Sequence, residues 1–204
     1  MDFADKVLAE LVARIRALEA EIETVIAERR ARFHYVVKRN RVWFDGEALG
    51  RHRAFRLGLW RQIRQSPLPI ILVSPIIYSL IVPVALLDLF LALYQSVCFR
   101  AYGIKRVPRA DFIVIDRHHL AYLNPLEKLN CVYCGYANGV IAYAREIGAR
   151  TEEYWCPIKH SRPIATPHSR YLHFVDYGDA EGYRQQQDAL RQHAGTPTEP
   201  PPKA

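Results

Sequence analysis

Three signatures of common enzyme classes are missing from this chain. It has no glycine-rich phosphate loop, no G-x-S-x-G elbow and no H-E-x-x-H pair. Nucleotide hydrolysis, α/β-hydrolase chemistry and zincin-type proteolysis therefore lack their usual sequence support. These absences weaken an enzymatic reading, and no catalytic motif replaces them. The N-terminal stretch MDFADKVLAELVARIRALEAE is charged throughout and lacks the apolar core of a secretory signal. The four cysteines are accordingly expected in a reducing compartment, where metal binding is favoured over disulfides. Charge is nearly absent from residues 67–99, where Asp88 is the one formal charge.

What the chain does have is length for one ordinary domain with appendages, 204 residues, and a net charge of +7. That balance suits an anionic partner, either lipid headgroups or nucleic acid. Its basic residues cluster around the apolar stretch, which favours an anionic lipid bilayer over nucleic acid. The expected fold class is mainly α with a small β component (α+β), laid out in five segments. These are an N-terminal helix (1–34), a basic hairpin and interfacial helix (35–66), a membrane-inserted segment (67–99), a Cys/His metal-binding domain (100–194) and a disordered tail (195–204).

In the first segment Leu8, Leu11, Ile15, Leu18, Ile22 and Val25 recur at alternating steps of three and four, the a/d pattern of a coiled coil. Fewer than three full heptads are present, so the helix fits either packing on its own domain or a homo-oligomer seam. The run FHYVVKRNRVWFDG (33–46) predicts a hairpin with a basic tip at Lys38-Arg39-Asn40-Arg41. Residues 49–65 place Phe55, Leu59 and Ile63 on one helical face, Trp60 at its edge, and Arg53, Arg56, Arg61 and Arg64 elsewhere. This is the pattern of a helix lying at a membrane surface.

Residues 67–99, PLPIILVSPIIYSLIVPVALLDLFLALYQSVCF, are long and apolar enough for membrane insertion. As one helix they would extend roughly 48 Å, against a hydrocarbon core of about 30 Å. Pro75 and Pro83 interrupt the run, and basic residues flank both ends: Arg51, Arg53, Arg56, Arg61 and Arg64 before, Arg100, Lys105, Arg106 and Arg109 after. Symmetric positive flanks predict a proline-broken hairpin with both ends cytoplasmic, a re-entrant or monotopic wedge. A single crossing near residues 76–97 is the alternative. Asp88 is expected neutral near the bend or paired with a neighbouring chain, and Cys98 packed as a small apolar residue.

Downstream, Phe112–Ile115 predict a buried strand, and Asn124-Pro125 opens a helix. Gly135 and Asn138-Gly139 are expected to break or kink that helix, and a second one runs to Trp155. The spacing C-x2-C followed by C-x3-H then marks Cys131, Cys134, Cys156 and His160 as metal ligands. Folding back of the second helix would let the two pairs close a tetrahedron. Three Cys and one His fill a four-coordinate shell, so the expected cofactor is structural zinc, with iron or an iron–sulfur cluster as the alternative. His118-His119 is a lesser candidate for a ligand or for a contact to one, and Glu152-Glu153 for an acid or base beside the site.

The run RHHLAYLNPLEKLNCVYCGYANGVIAYAREIGARTEEYWCPIKH (117–160) resembles part of an uncharacterised bacterial family of small membrane-associated Cys/His proteins. The resemblance implies a bacterial source and a shared site at Cys131, Cys134, Cys156 and His160, and brings no reaction with it. Together these readings predict a scaffold or adaptor protein on the cytoplasmic face of a bacterial inner membrane, carrying a structural zinc site. The alternative is a membrane-bound redox protein using iron at the same ligands.

Overall fold

The structure, a computed structural model, describes residues 3–32, 35–38, 41–44 and 46–192. The predicted disordered tail and the hairpin-tip residues Arg39 and Asn40 lie outside the described residues. Within them the fold is mainly helical, with one two-stranded antiparallel sheet. Two compact units are present, residues 3–58 with 119–124, and residues 59–118 with 125–192.

The first unit begins with α1 (Phe3–Arg32), a 30-residue helix containing neither glycine nor proline and rich in Ala, Leu, Glu and Arg. Strands β1 (Tyr35–Lys38) and β2 (Arg41–Phe44) then pair in the register Tyr35↔Phe44 to Lys38↔Arg41. A short helix, α2 (Gly46–Ala54), buries Ala48. His52 sits edge-on to both Phe44 and Tyr122, with ring centroids 4.8 and 5.2 Å away. The surface helix expected over 49–65 is not continuous. Phe55 and Arg56 donate to the carbonyls of His52 and Arg53, three residues back, which tightens and ends α2. Arg56–Gly58 are non-helical, and α3 (Leu59–Gln65) starts afresh in the second unit.

The second unit is built on the apolar run. Helices α4 (Leu68–Ser79) and α5 (Ile81–Tyr94), a π-helical turn (Gln95–Phe99) and α6 (Arg100–Tyr102) follow one another as a single 35-residue helix. The proline-broken hairpin is thus replaced by a through-going helix. Leu80 keeps right-handed helical dihedrals (φ −62°, ψ −15°), so the chain does not turn back. Pro83 falls in the first turn of α5, where its missing N–H and fixed φ are tolerated. The helix ends at Gly103, whose φ of 71° is the left-handed conformation glycine adopts without strain, while Ile104 N–H closes onto Phe99 O at 2.8 Å.

The second long element is α7 (Pro125–Trp155), 31 residues without interruption. It runs parallel to the apolar helix: Tyr78 meets Asn130, Asp88 meets Tyr136, and Gln95 meets Tyr143. Between them, residues 104–114 travel back antiparallel to α7, with Val107 near Gln95 and Ile113 against Gly139. Phe99, Val107, Tyr143 and Ile147 form the core, with Leu91, Tyr94, Ile104 and Phe112 packed against it. The strand expected at Phe112–Ile115 is absent; a 3-10 turn (Arg109–Asp111) leads into irregular chain there.

Gly135 and Gly139 do not break α7. They make room for that returning segment. A Cβ on Gly139 would lie 2.8 Å from Phe112 O and 2.9 Å from Ile113 Cα, and one on Gly135 3.4 Å from Val114 O. The glycines therefore serve a close backbone approach inside a helix whose stability comes from that contact. Beyond α7, Ile158 and Val175 form a parallel bridge, residues 169–173 make a 3-10 turn, and α8 (Ala180–Gln192) is a polar helix.

Candidate functional site

Few polar side chains interrupt the apolar helix, and five of them meet α7 or the returning segment. Asp88, Gln95 and Tyr102 recur every seven residues, and Tyr78 and Tyr94 lie beside the same stripe. Asp88 is buried, and its carboxylate is held by three donors. Arg109 Nε reaches Oδ1 at 3.1 Å, Arg109 Nη2 reaches Oδ2 at 2.6 Å, and the Tyr136 hydroxyl donates to Oδ2 at 2.9 Å. Asp88 is therefore paired within its own chain, and the neutral or intermolecular state expected for it is set aside. A carboxylate held by three donors, two of them from one guanidinium, is a poor proton carrier; the arrangement is a brace.

The charges reinforce one another. The hydrogen bond to Asp88 raises the pKa of Arg109 further above its ordinary value, so this guanidinium stays charged. Burial, then the hydrogen bond and charge of Asp88, hold the Tyr136 hydroxyl above the usual tyrosine range. Tyr136 is thereby kept as a donor.

Gln95, 1% exposed, makes the second tie. Its Oε1 accepts from Val107 N–H at 2.7 Å while its Nε2 donates to the Tyr143 hydroxyl. The π-helical turn puts Gln95 and Phe99, both fully buried, on this inner face. Tyr94 and Thr151 hydroxyls meet at 3.1 Å, and Tyr133 donates to Ile77 O at 2.8 Å. Sequence reasoning singled out Asp88 alone. The sevenfold spacing of Asp88 and Gln95 was the available signal for the rest.

The opposite face of the same helix is bare. Ile76, Leu80, Phe90, Leu93 and Val97 are 54–68% exposed and follow one another at helical spacing. Among the described residues this is the one helix long and apolar enough to cross a membrane, with mean hydropathy 2.6.

The four predicted ligands are not brought together. Cys131 and Cys134 lie one turn apart in the first third of α7, while Cys156 and His160 follow its C-terminus. Because α7 is unbroken, Cys134 and Cys156 are about 33 Å apart along its axis at ~1.5 Å per residue. Zinc holds its sulfurs at ~2.3 Å, so no single ion reaches both pairs in one chain. Among the described residues no group of three or more His, Cys, Asp or Glu side chains could hold a metal. The failed premise is the helix break at Gly135 and Gly139. Cys98 and Cys131 are half-buried, and Cys134 and Cys156 exposed, all as free thiols. The backbone N–H of His160 donates to the Tyr171 hydroxyl at 2.6 Å, and its ring stacks on Tyr171.

No family model, no curated protein and no solved structure matches this chain. Function has to be argued from the geometry.

A second polar cluster fastens the segment after α7. Glu146 accepts from Arg150 at 2.8 Å and lies 3.5 Å from Arg170, which also pairs with Glu153. Glu152 meets His168 Nε2 at 3.0 Å. Arg145 donates to the carbonyls of Thr166 and Pro167, both at 2.7 Å, and Arg150 to Lys105 O at 2.7 Å. Glu152 and Glu153, candidates for an acid or base, are thus clamp residues holding residues 163–174 against α7.

Proposed function

We propose that this chain is a membrane-anchored scaffold or adaptor protein, attached to one face of the bilayer by its 35-residue apolar helix. The observation that carries this reading is the division of that helix into a polar-tied inner face and a bare apolar outer face along most of its length. In water such a face would be a contiguous exposed apolar patch of a size soluble monomers avoid. In lipid the same face is solvated by acyl chains.

Magnitudes favour lying over crossing. Tyr78 contacts Asn130 of α7 ten residues into the helix, about 15 Å from its start, which is the midplane of a ~30 Å core. A crossing that began at Leu68 would therefore draw the first turn of α7, with Glu127 and Lys128, to that depth. Each such charge costs ~2.5–3.5 kcal/mol at the bilayer centre. A crossing over residues 76–97 would centre the Asp88–Arg109 pair instead. An in-plane helix avoids both costs, and leaves Arg61 and Arg64 before it and Arg100, Lys105 and Arg106 after it at headgroup level. Exposed Trp60 on α3 fits the same depth. On this reading the parts outside lipid, namely α1, the hairpin and the clamp around residues 163–174, are free to bind other proteins.

The test uses the full chain and vesicles. It floats with vesicles containing anionic lipid, less with purely zwitterionic ones, and stays in solution without any. On membranes of one orientation, an impermeant maleimide labels Cys134 and Cys156 from the same side on which protease removes an N-terminal tag. A tag on the opposite side from the labelled thiols rules out the in-plane attachment, and failure to float rules out the anchor.

A further inference from the structure

Along α1 the a/d seam from Leu11 to Val25 is left uncovered by the other described residues. Leu11, Ile15, Leu18, Ile22 and Val25 are 45–58% exposed, one above another on a single face. Six apolar residues at strict steps of three and four do not arise on a helix meant to be solvated all round, where charged residues would occupy that face. They need a cover, and the side chains at each heptad position say which.

With Leu8, Ile15 and Ile22 at a, the d positions are Leu11, Leu18 and Val25. β-Branched Ile at a with Leu at d is the combination that packs best as a parallel two-stranded coiled coil, and Leu8 and Val25 depart from it only at the two ends. The flanking positions agree. In a parallel pair the g residue of one helix faces the e residue five positions on in the other. Arg14 at g therefore faces Glu19 at e, and twofold symmetry makes this contact twice. Val7 faces Val12 and Glu21 faces Ile26, so no like-charged g–e pair opposes the register. Val7 itself is exposed. An antiparallel pair would set Arg14 opposite Glu21 and layer Ile against Leu, losing the a/d preference.

We infer that α1 joins two copies of this chain as a parallel coiled coil. The seam spans fewer than three full heptads, so the dimer is a reversible one and its population follows concentration. Gathering chains on a surface raises their effective concentration, which populates the dimer there more fully than in dilute solution.

Sedimentation or light scattering on the full chain in mild detergent reads the outcome directly. The unmodified protein moves from monomer to dimer as it is concentrated through the micromolar range. The double substitution Ile15→Lys with Ile22→Lys leaves it monomeric throughout. Both sites are exposed, so the change removes no core contact. Arg14→Glu weakens the dimer roughly three- to tenfold, and adding Glu19→Arg restores it. A monomer at every concentration, a trimer, or dimerisation untouched by the lysines overturns the inference. Restoration by Glu21→Arg in place of Glu19→Arg overturns the parallel orientation. Vesicle flotation of the lysine variant separates this result from the anchor: α1 is outside the apolar helix, so flotation persists when dimerisation is lost.

Discussion

Arg109 grips Asp88 with two parallel nitrogens, Nε at 3.1 Å and Nη2 at 2.6 Å, bridging residues 21 apart in sequence. The pair turns a charge in an apolar helix from a liability into the joint that holds the returning segment down. Arg109→Ala would leave the Asp88 carboxylate buried with Tyr136 as its remaining hydrogen-bond partner. Because Arg109 is itself half exposed, the expected loss is about 1–3 kcal/mol, below the 3–5 of a fully buried pair. Asp88→Leu combined with Arg109→Met recovers most of it. Thermal unfolding followed by circular dichroism in detergent measures all three, and a double variant less stable than Arg109→Ala contradicts the ion-pair account.

Gly139 and Gly148 give an internal comparison on one helix. Gly139→Ala puts a methyl 2.8 Å from Phe112 O and is expected to cost about 1–3 kcal/mol. Gly148 is exposed with nothing within 4 Å of its missing Cβ, so Gly148→Ala is expected to stabilise by about 0.5–1 kcal/mol through helix propensity. Unfolding midpoints that shift in the same direction for both would contradict the close approach at Gly139.

Gln95→Leu keeps the volume and removes both hydrogen bonds. Val107 N–H and the Tyr143 hydroxyl are left buried without this partner, at a cost of about 1–3 kcal/mol each. Hydrogen exchange reads the effect locally. The Val107 amide is expected to exchange much faster, and an unchanged rate there would show that Gln95 does not hold the segment.

Tyr136 sets an alkaline limit. Its pKa is raised in the fold, so the folded chain holds this proton more tightly than the unfolded one. The stability it supplies is complete below pH 10, the ordinary tyrosine value, and is lost as pH climbs through the raised one. Stability measured from pH 8 upward falls less steeply in Tyr136→Phe than in the unmodified protein. Equal slopes would contradict the assignment.

On the bare face, Phe90→Glu removes an aromatic side chain from the proposed lipid contact and adds a charge. Burying a Phe contributes about 1.5–3 kcal/mol, so vesicle partitioning is expected to drop by at least about tenfold. Val114→Glu, an equally exposed apolar site off that helix, leaves partitioning within about twofold. The same loss at both positions would show that flotation does not depend on the helix face.

Much of this fold can be read from periodicity. The threes and fours of α1, the β-branched runs of Tyr35–Lys38 and Arg41–Phe44, and the apolar run ending near Phe99 each announce their element locally. What fails is local reasoning about residues whose partner is distant. Gly135 and Gly139 look like helix breakers until the backbone of Phe112–Val114 is known to lie against them. Pro83 looks like a bend because its position in a helical first turn depends on where α5 begins. The cysteine spacing is open to the same difficulty, since bringing both pairs of one chain together requires a break that Gly139 does not make. Asp88 stands out by its charge, but its role depends on Arg109 and Tyr136, 21 and 48 residues away.

The order of these contacts along the chain has a consequence for biogenesis. Gln95 waits 48 residues for Tyr143, and Asp88 as long for Tyr136, which at ~5–20 residues per second of translation is about 2–10 s. For that interval the nascent apolar helix has no α7 to lean on, and both of its sides are open. Under the proposed attachment, lipid meets it before its own sequence does, and the later half of the protein assembles on an already seated helix.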